Sequence, residues 1–151
     1  MDVTKRQKLD TTYIRMAHIW GQLSHCDRKK VGALIVKKGM IISDGYNGTP
    51  YGFDNCCEEM VWKYDSSIGT EETKWEVLHA EANAIMKCAK HGTSCDGATL
   101  YLTMSPCREC SKLIHQAGIS KVVYHEEYED KAGIEFLNKA GIEVIVMENI
   151  E

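Results

Sequence analysis

The chain has 151 residues, a length that suits one domain, and we expect residues 1–151 to form a single unit with its own core. Hydrophobic residues make up 44% and charged residues 26%, as in an ordinary soluble protein. The formal net charge of −4 argues against a nucleic-acid partner, which would favour a basic surface. No apolar run approaches the ~20 residues of a membrane helix, and the first residues do not resemble a signal peptide. We therefore expect a cytoplasmic protein with neither a membrane nor a nucleic-acid partner.

The first half of the chain predicts a helix and then a β-hairpin. Asp10 is a suitable N-cap for a helix running to about residue 24. Its apolar stripe has the spacing i, i+3, i+4, i+7 and consists of Tyr13, Met16, Ala17 and Trp20. Strands over residues 31–36 and 40–43 flank the turn Lys37-Lys38-Gly39. Residues 45–57 are glycine-rich and irregular, and residues 58–75, without a clean period, predict a long loop with room for one short helix.

The second half of the chain predicts alternating helices and strands. In order, these are a helix over 79–90, a strand over 98–103, a helix over 107–117, a strand over 121–125, a helix that Asp130 caps and that ends before Gly141, and a strand over 143–147. Gly92 and Gly118 stop the first two of these helices. Together the elements predict a three-layer αβα domain around a five-stranded mixed sheet.

Three residues of this half have the side chains of a zinc site. Cys107 and Cys110 are three positions apart, which places both sulfurs on one face of a helix. Ser105 suits the N-cap of that helix and Pro106 its first position, so the thiols would lie at the positive end of the helix dipole, which favours the thiolate. His79, near the start of another predicted helix, is the third candidate ligand. Three protein ligands leave a tetrahedral zinc one open position, as in catalytic sites.

A carboxylate accompanies these ligands. Glu81 is two residues from His79, so the two side chains diverge on a helix and Glu81 points at the open position rather than at the metal. There, zinc lowers the pKa of a water from about 15.7 towards about 7. We therefore assign Glu81 the role of catalytic acid and base. The alternatives are a small zinc knuckle or unrelated core cysteines, which Pro106 and the upstream His-x-Glu argue against.

These residues carry a family resemblance. His-x-Glu followed by Pro-Cys-x-x-Cys is similar to the signature of the zinc-dependent nucleobase deaminases. The whole chain resembles cytidine-deaminase-fold enzymes and, more narrowly, the deoxycytidylate (dCMP) deaminases. Three stretches carry the narrower match: KVGALIV at 30–36, GYNGTPYG at 45–52, similar to that family's GYNGxPxG, and HAEANAI at 79–85, similar to its HAExNAI. The resemblance implies a hydrolase that converts dCMP and water to dUMP and ammonia, with Glu81 passing the proton of the water to the ring nitrogen and the leaving ammonia.

The resemblance also implies a set of substrate-binding residues. Asn47 is expected to contact the sugar through its amide, although a turn residue with positive φ beside Gly48 is the alternative. Ala80 is expected beside the substrate. For the phosphate we expect the cations Arg28, Lys29 and Lys30, with Ser24 as a hydroxyl partner, unless they form an ordinary solvated charge run. Tyr124 and Tyr128 are expected either in this pocket or as core and rim residues.

Family members are commonly hexamers that dCTP activates and dTTP inhibits, with magnesium on the triphosphate. The resemblance places Tyr46, Asn47, Gly48 and Gly52 at the allosteric nucleotide site. We accordingly expect a homo-oligomer, with a hexamer favoured, and these two triphosphates as effectors.

Cysteine usage bears on redox state and metal content. Two of the seven cysteines are assigned to zinc, and the other five are expected to be reduced thiols: Cys26, Cys56, Cys57, Cys88 and Cys95. Some phage relatives carry a second, structural zinc, and Cys26 with Cys56 or Cys57 matches two of its ligands. The remaining two ligands, a histidine and an acidic residue shortly before the HAE motif, are not evident. We expect one zinc per chain.

Other functions remain open from the sequence. The nearest is a deaminase of the same fold that acts on dCTP or another cytosine nucleotide. Deaminases that act on tRNA adenosine or on single-stranded DNA need basic surfaces for the nucleic acid, which the net negative charge of this chain disfavours. A non-enzymatic zinc-stabilised binding module would have no need of Glu81.

Overall fold

The computed structural model describes residues 3–64 and 67–151. Its helices are α1 (Val3–Gly21), α2 (Ala80–His91), α3 (Arg108–Gln116) and α4 (Ala132–Lys139). Its strands are β1 (Gly32–Lys37), β2 (Met40–Tyr46), β3 (Glu58–Trp62), β4 (Gly69–Thr73), β5 (Thr99–Met104), β6 (Lys121–Glu126) and β7 (Glu143–Val146). Within these ranges no helix has both the length and the apolar content needed to cross a membrane.

Five of the strands form one mixed sheet in the order β2-β1-β5-β6-β7. Strand β1 is antiparallel to β2 and β5, whereas β5, β6 and β7 run parallel. Alternate residues of β1 point to opposite faces, so Ala33 and Ile35 pack with α2, α3 and α4, and Leu34 and Val36 pack with α1. The predicted three-layer αβα fold with a five-stranded mixed sheet is confirmed.

Helix α1 differs from its prediction. It begins at Val3, so Asp10 lies inside the helix rather than at its N-cap. Asp10 is buried because its carboxylate accepts the Tyr101 hydroxyl at 2.6 Å and lies 4.0 Å from the buried Lys121 ammonium. The buried stripe consists of Asp10, Ile14, Ala17 and Gly21, whereas the predicted stripe residues Met16 and Trp20 are exposed.

The predicted long loop over 58–75 is wrong, because most of this stretch is an antiparallel hairpin of β3 and β4. Its register runs from Glu58 opposite Thr73 to Trp62 opposite Gly69. Neither strand buries a face, so the apolar alternation that marks a half-buried strand is missing from the sequence. Residues 65 and 66 of the stretch lie outside the described residues.

Two close approaches hold α2 against the sheet. A Cβ on Gly45 of β2 would lie 2.2 Å from the Ala80 carbonyl oxygen, so only glycine permits this contact. One turn further along the helix, the Ser43 hydroxyl donates to the Ala84 carbonyl at 2.7 Å. Together these contacts fix the first turn of α2, which carries the His-x-Glu motif.

Candidate active site

The three predicted zinc ligands lie together at the N-termini of two helices. His79 is the N-cap of α2, and Cys107 is the N-cap of α3. The Nδ1 of His79 lies 3.6 Å from the Cys107 sulfur and 3.4 Å from the Cys110 sulfur. All three ligand atoms lie within 4.8 Å of one another.

This arrangement fits a zinc ion. With Zn–S bonds of about 2.3 Å and Zn–N bonds of about 2.0 Å, tetrahedral geometry separates nitrogen from sulfur by roughly 3.5 Å. The two measured nitrogen–sulfur distances agree with that value. Because the described residues supply only three ligand atoms here, the site has the ligand number of a catalytic zinc.

The start of α3 corrects one capping prediction. Cys107, not Ser105, is the N-cap, so Pro106 precedes the helix instead of occupying its predicted first position; the Cys107 sulfur accepts the backbone N–H of Cys110. Ser105 instead accepts the backbone N–H of Tyr128 through its hydroxyl at 2.7 Å, which ties the start of this helix to the segment after β6.

The protonation of the two thiols is coupled. Hydrogen bonds from Cys110 and His79 lower the pKa of Cys107 to about 3. The thiolate at Cys107 and burial raise the pKa of Cys110. The hydrogen bond with Cys107 also raises the pKa of His79. The protein alone thus stabilises one thiolate, and binding of a divalent cation would release the second thiol proton.

Glu81 is buried beside these ligands, with 4% of its surface exposed. Burial raises the pKa of its carboxyl, and a backbone hydrogen bond, the charge of His79 and the Cys110 thiol oppose that shift. A carboxyl with a raised pKa in a cavity next to metal ligands suits proton transfer near neutral pH.

A cavity of about 780 Å³ opens over this group. Predicted site residues on its wall are Arg28, Lys29, Asn47, Tyr128, His79, Ala80, Glu81 and Cys107. The hairpin also contributes to the wall: Glu58, Lys63, Thr70, Glu71, Glu72 and Thr73. This contribution of the hairpin was not predicted from the sequence; the mixture of charged and hydroxyl side chains between residues 58 and 73 was the available signal.

Two predicted substrate contacts do not reach the described wall of this cavity. Ser24 is buried, and its hydroxyl donates to the Asn47 carbonyl at 2.7 Å and accepts the Cys26 N–H. Tyr124 belongs to the core, and its hydroxyl donates to Glu127. Both hydroxyls therefore have partners within the protein, whereas Tyr128, for which either a pocket or a rim position was predicted, lies on the cavity wall.

Asn47 braces the segment that carries the predicted phosphate-binding cations. Its Oδ1 accepts the Val31 N–H at 2.9 Å and its Nδ2 donates to the Lys29 carbonyl at 2.8 Å. Its φ is not positive, so the alternative of a left-handed turn residue is wrong. Lys30 points its ammonium at the Ser24 carbonyl instead of into the cavity.

The residues predicted for an allosteric nucleotide lie mostly outside this cavity. Gly48 exchanges two backbone hydrogen bonds with Leu78, immediately before His79. The Tyr46 ring packs edge-on against Trp20, and Gly52 adopts a φ of +89° in an exposed turn. Of the four, only Asn47 lines the cavity, within the part of the chain that is described.

The cysteine prediction is corrected at two positions. Cys26 and Cys57 form a disulfide, so they are not the reduced thiols expected from the sequence. Cys56, Cys88 and Cys95 are free, as expected. Glu58 lies within 4.8 Å of both disulfide sulfurs, and these residues form a second possible metal-binding group. Metal ligation requires thiolates, so this group can bind a metal only after reduction of the disulfide.

Comparison with known proteins identifies the family. Residues 7–126 match the family model described as the cytidine and deoxycytidylate deaminase zinc-binding region. Deoxycytidylate deaminase of Enterobacteria phage T4 is 39% identical over 168 aligned positions, which cover 89% of this chain and 87% of that protein. The human deoxycytidylate deaminase is 36% identical over 86% of this chain and 74% of that protein.

A solved structure shows the same similarity over nearly the full length. The dCMP deaminase from cyanophage S-TIM5, in complex with dCMP and dUMP, is 42% identical. It covers 97% of this chain and 99% of its own, with a TM-score of 0.81. The chain belongs to the cytidine and deoxycytidylate deaminase family. Within that family, its similarity is to the deoxycytidylate deaminases.

Proposed function

We propose that this chain catalyses the hydrolytic deamination of dCMP to dUMP and ammonia. The observation that carries the proposal is the buried Glu81 carboxylate beside His79, Cys107 and Cys110 at a cavity whose wall also holds Arg28 and Lys29. The relative from cyanophage S-TIM5, which binds dCMP and dUMP, supports the choice of nucleotide.

In this proposal one zinc ion is held by His79 Nδ1 and by the sulfurs of Cys107 and Cys110. The chemistry supplied by a zinc ion with three protein ligands is a lowered pKa for water in the open position. The helix N-termini under His79 and Cys107 favour the thiolate form that such binding needs.

Glu81 moves the protons of the reaction. As a carboxylate it accepts a proton from the attacking water, and as a carboxylic acid it donates that proton to the ring nitrogen. The second proton of the water leaves with the amino group, so dCMP and water balance against dUMP and ammonia. Burial supports both roles, because it brings the acid and base forms of Glu81 closer in free energy at neutral pH.

The cations on the cavity wall are proposed to bind the 5′-phosphate. Neither Arg28 nor Lys29 forms an ion pair with a described carboxylate, so both charges are available to an anion. Asn47 retains one amide N–H beyond its two backbone contacts, and we assign that donor to the deoxyribose. Ala80 and Tyr128 complete the pocket around the nucleotide.

Regulation and assembly are further parts of the proposal. By resemblance to the family we propose activation by dCTP and inhibition by dTTP, with magnesium on the triphosphate, in a hexamer. Tyr46, Gly48 and Gly52 are the proposed contacts of the effector. A cytoplasmic location also stays a prediction. Disulfides are uncommon in reducing compartments, so the Cys26–Cys57 disulfide bears on that prediction. Counting the free thiols of the protein in freshly lysed cells tests whether this bond forms there.

The deciding experiment is ultraviolet-monitored deamination with zinc present. The substrates are dCMP, dCTP, deoxycytidine and adenosine, each with and without dTTP. Turnover of dCMP that dTTP suppresses is the expected result. Turnover of dCTP alone would show that the chain is a deaminase of the same fold whose substrate is dCTP rather than dCMP. If the zinc-loaded protein converted none of the four, the enzyme assignment would be wrong.

A further inference from the structure

We propose that Glu58 is a positioning residue for the substrate phosphate, because its carboxylate holds the segment that carries Arg28 and Lys29. The proposal rests on the function proposed above. It assigns a role in the nucleotide site to the β3–β4 hairpin, which lies outside the zinc motif.

The contact is made by backbone groups. One oxygen of Glu58, Oε1, accepts the N–H of Asp27 at 2.9 Å and the N–H of Arg28 at 3.1 Å. Two successive amides converging on one carboxylate oxygen fix the backbone orientation at the residue that bears the guanidinium. Hydrogen bonds to a charged acceptor are the stronger kind.

The segment is held from its other side as well. Asn47 contacts the backbone of Val31 and Lys29, and Ser24 accepts the N–H of Cys26. The Cys26–Cys57 disulfide then joins the segment covalently to the residue before Glu58. Residues 24–31 are therefore clamped between the end of β2 and the start of β3.

The charge of Glu58 does not neutralise the cations it positions. Its oxygen is engaged by backbone amides, and among the described residues it forms no ion pair with Arg28 or Lys29. Both cations and Glu58 itself line the cavity. Loss of the two hydrogen bonds to Glu58 should therefore displace the phosphate-binding side chains of Arg28 and Lys29 and leave Glu81 and the zinc ligands in place.

Three substitutions at Glu58 separate geometry from charge. Glu58→Gln keeps the length and an acceptor oxygen, Glu58→Asp keeps the charge but withdraws the oxygen, and Glu58→Ala removes both. Glu59→Ala, on the neighbouring exposed position of β3, is the matched control. The measurements are kcat and KM for dCMP, the inhibition constant of dUMP, zinc content and melting temperature.

We expect Glu58→Ala and Glu58→Asp to raise the KM for dCMP and the inhibition constant of dUMP about tenfold, with kcat within about twofold of the parent chain. Glu58→Gln and Glu59→Ala should stay within about threefold of the parent chain in KM. An unchanged or lowered KM in Glu58→Ala and Glu58→Asp would overturn the inference. Equal changes of KM in Glu58→Gln and Glu58→Ala would also overturn it, because they would show that only the charge of Glu58 matters. Loss of zinc from Glu58→Gln would overturn it as well.

The same experiment distinguishes this inference from the function on which it rests. If the parent chain does not deaminate dCMP, the proposed function is wrong before any variant is compared. If it does so while the KM is indifferent to Glu58→Ala and Glu58→Asp, only the positioning role is wrong.

Discussion

The Nδ1 of His79 lies 3.4 Å from the sulfur of Cys110, although the two residues are 31 positions apart in the sequence. The contact exists because α2 and α3 pack side by side against one face of the sheet, with their N-termini at the same edge. The start of α2 contributes His79, and the start of α3 contributes Cys107 and Cys110. Strand β5, which leads into α3, pairs with β1 on one side and with β6 on the other, and this pairing sets the position of α3 on the sheet. The geometry of the His79, Cys107 and Cys110 group therefore depends on how α2 and α3 pack against the sheet.

Replacement of Glu81 by Gln should abolish turnover without loss of metal. The amide cannot accept the proton of the attacking water, so we expect kcat for dCMP to fall by about 10³-fold. Glutamine has nearly the same shape and is neutral, as burial favours at this position. Zinc analysis and the ultraviolet assay check this prediction; a variant that loses its zinc would make Glu81 a ligand instead.

The pH dependence of kcat/KM should have an acid limb that reports Glu81. Burial raises the pKa of this carboxyl above its ordinary value of 4.5, and the base must be ionised to accept a proton. Activity should therefore fall as the pH drops through that raised pKa. A pH–rate profile at saturating zinc tests this. An acid limb at or below pH 4 would contradict the assignment.

Replacement of Cys110 by Ser should remove zinc from the protein. A hydroxyl is a poor substitute for thiolate, so zinc content should fall from one per chain to a small fraction, with melting temperature falling too. Cys88→Ala is the matched control, because Cys88 is a buried free thiol of α2 outside the ligand group. Metal analysis of both variants with the Cys26–Cys57 disulfide intact gives the result. Two zinc ions per parent chain would refute the expected stoichiometry.

Replacement of Asp10 by Asn should destabilise the protein by about 3 kcal/mol, because it leaves the buried Lys121 ammonium without its counter-charge. The amide can still accept the Tyr101 hydroxyl, so the loss reports the two ion pairs of Asp10, with the buried Lys121 at 4.0 Å and with the exposed Arg6 at 3.6 Å. Asp96→Asn makes the same chemical change at an exposed position and should cost less than ~0.5 kcal/mol. Urea unfolding of the two variants gives the comparison. Equal stabilities would show that Lys121 is satisfied by other means.

Several features of the chain were open to prediction because they are local. The spacing places Cys107 and Cys110 at one helix start and His79 and Glu81 at another, although the structure makes Cys107 and His79 the N-caps rather than members of their helices. The continuous apolar run of β1 and the glycines that follow α2 and α3 likewise identify elements within a few positions. These signals depend on residues close together in the chain, so a short window of sequence contains them.

Tertiary structure alone decided the rest. The β3–β4 hairpin buries neither face, so no periodic pattern marks it, and its place on the cavity wall depends on contacts with residues 26–28. Asp10 resembles a helix cap until Tyr101 and Lys121 supply buried partners from β5 and β6. Ser24 and Tyr124 have side chains suited to a substrate, but their hydroxyls already have partners in the protein. The partner of a polar group is set by segments distant in the chain, and spacing within a segment carries no information about them.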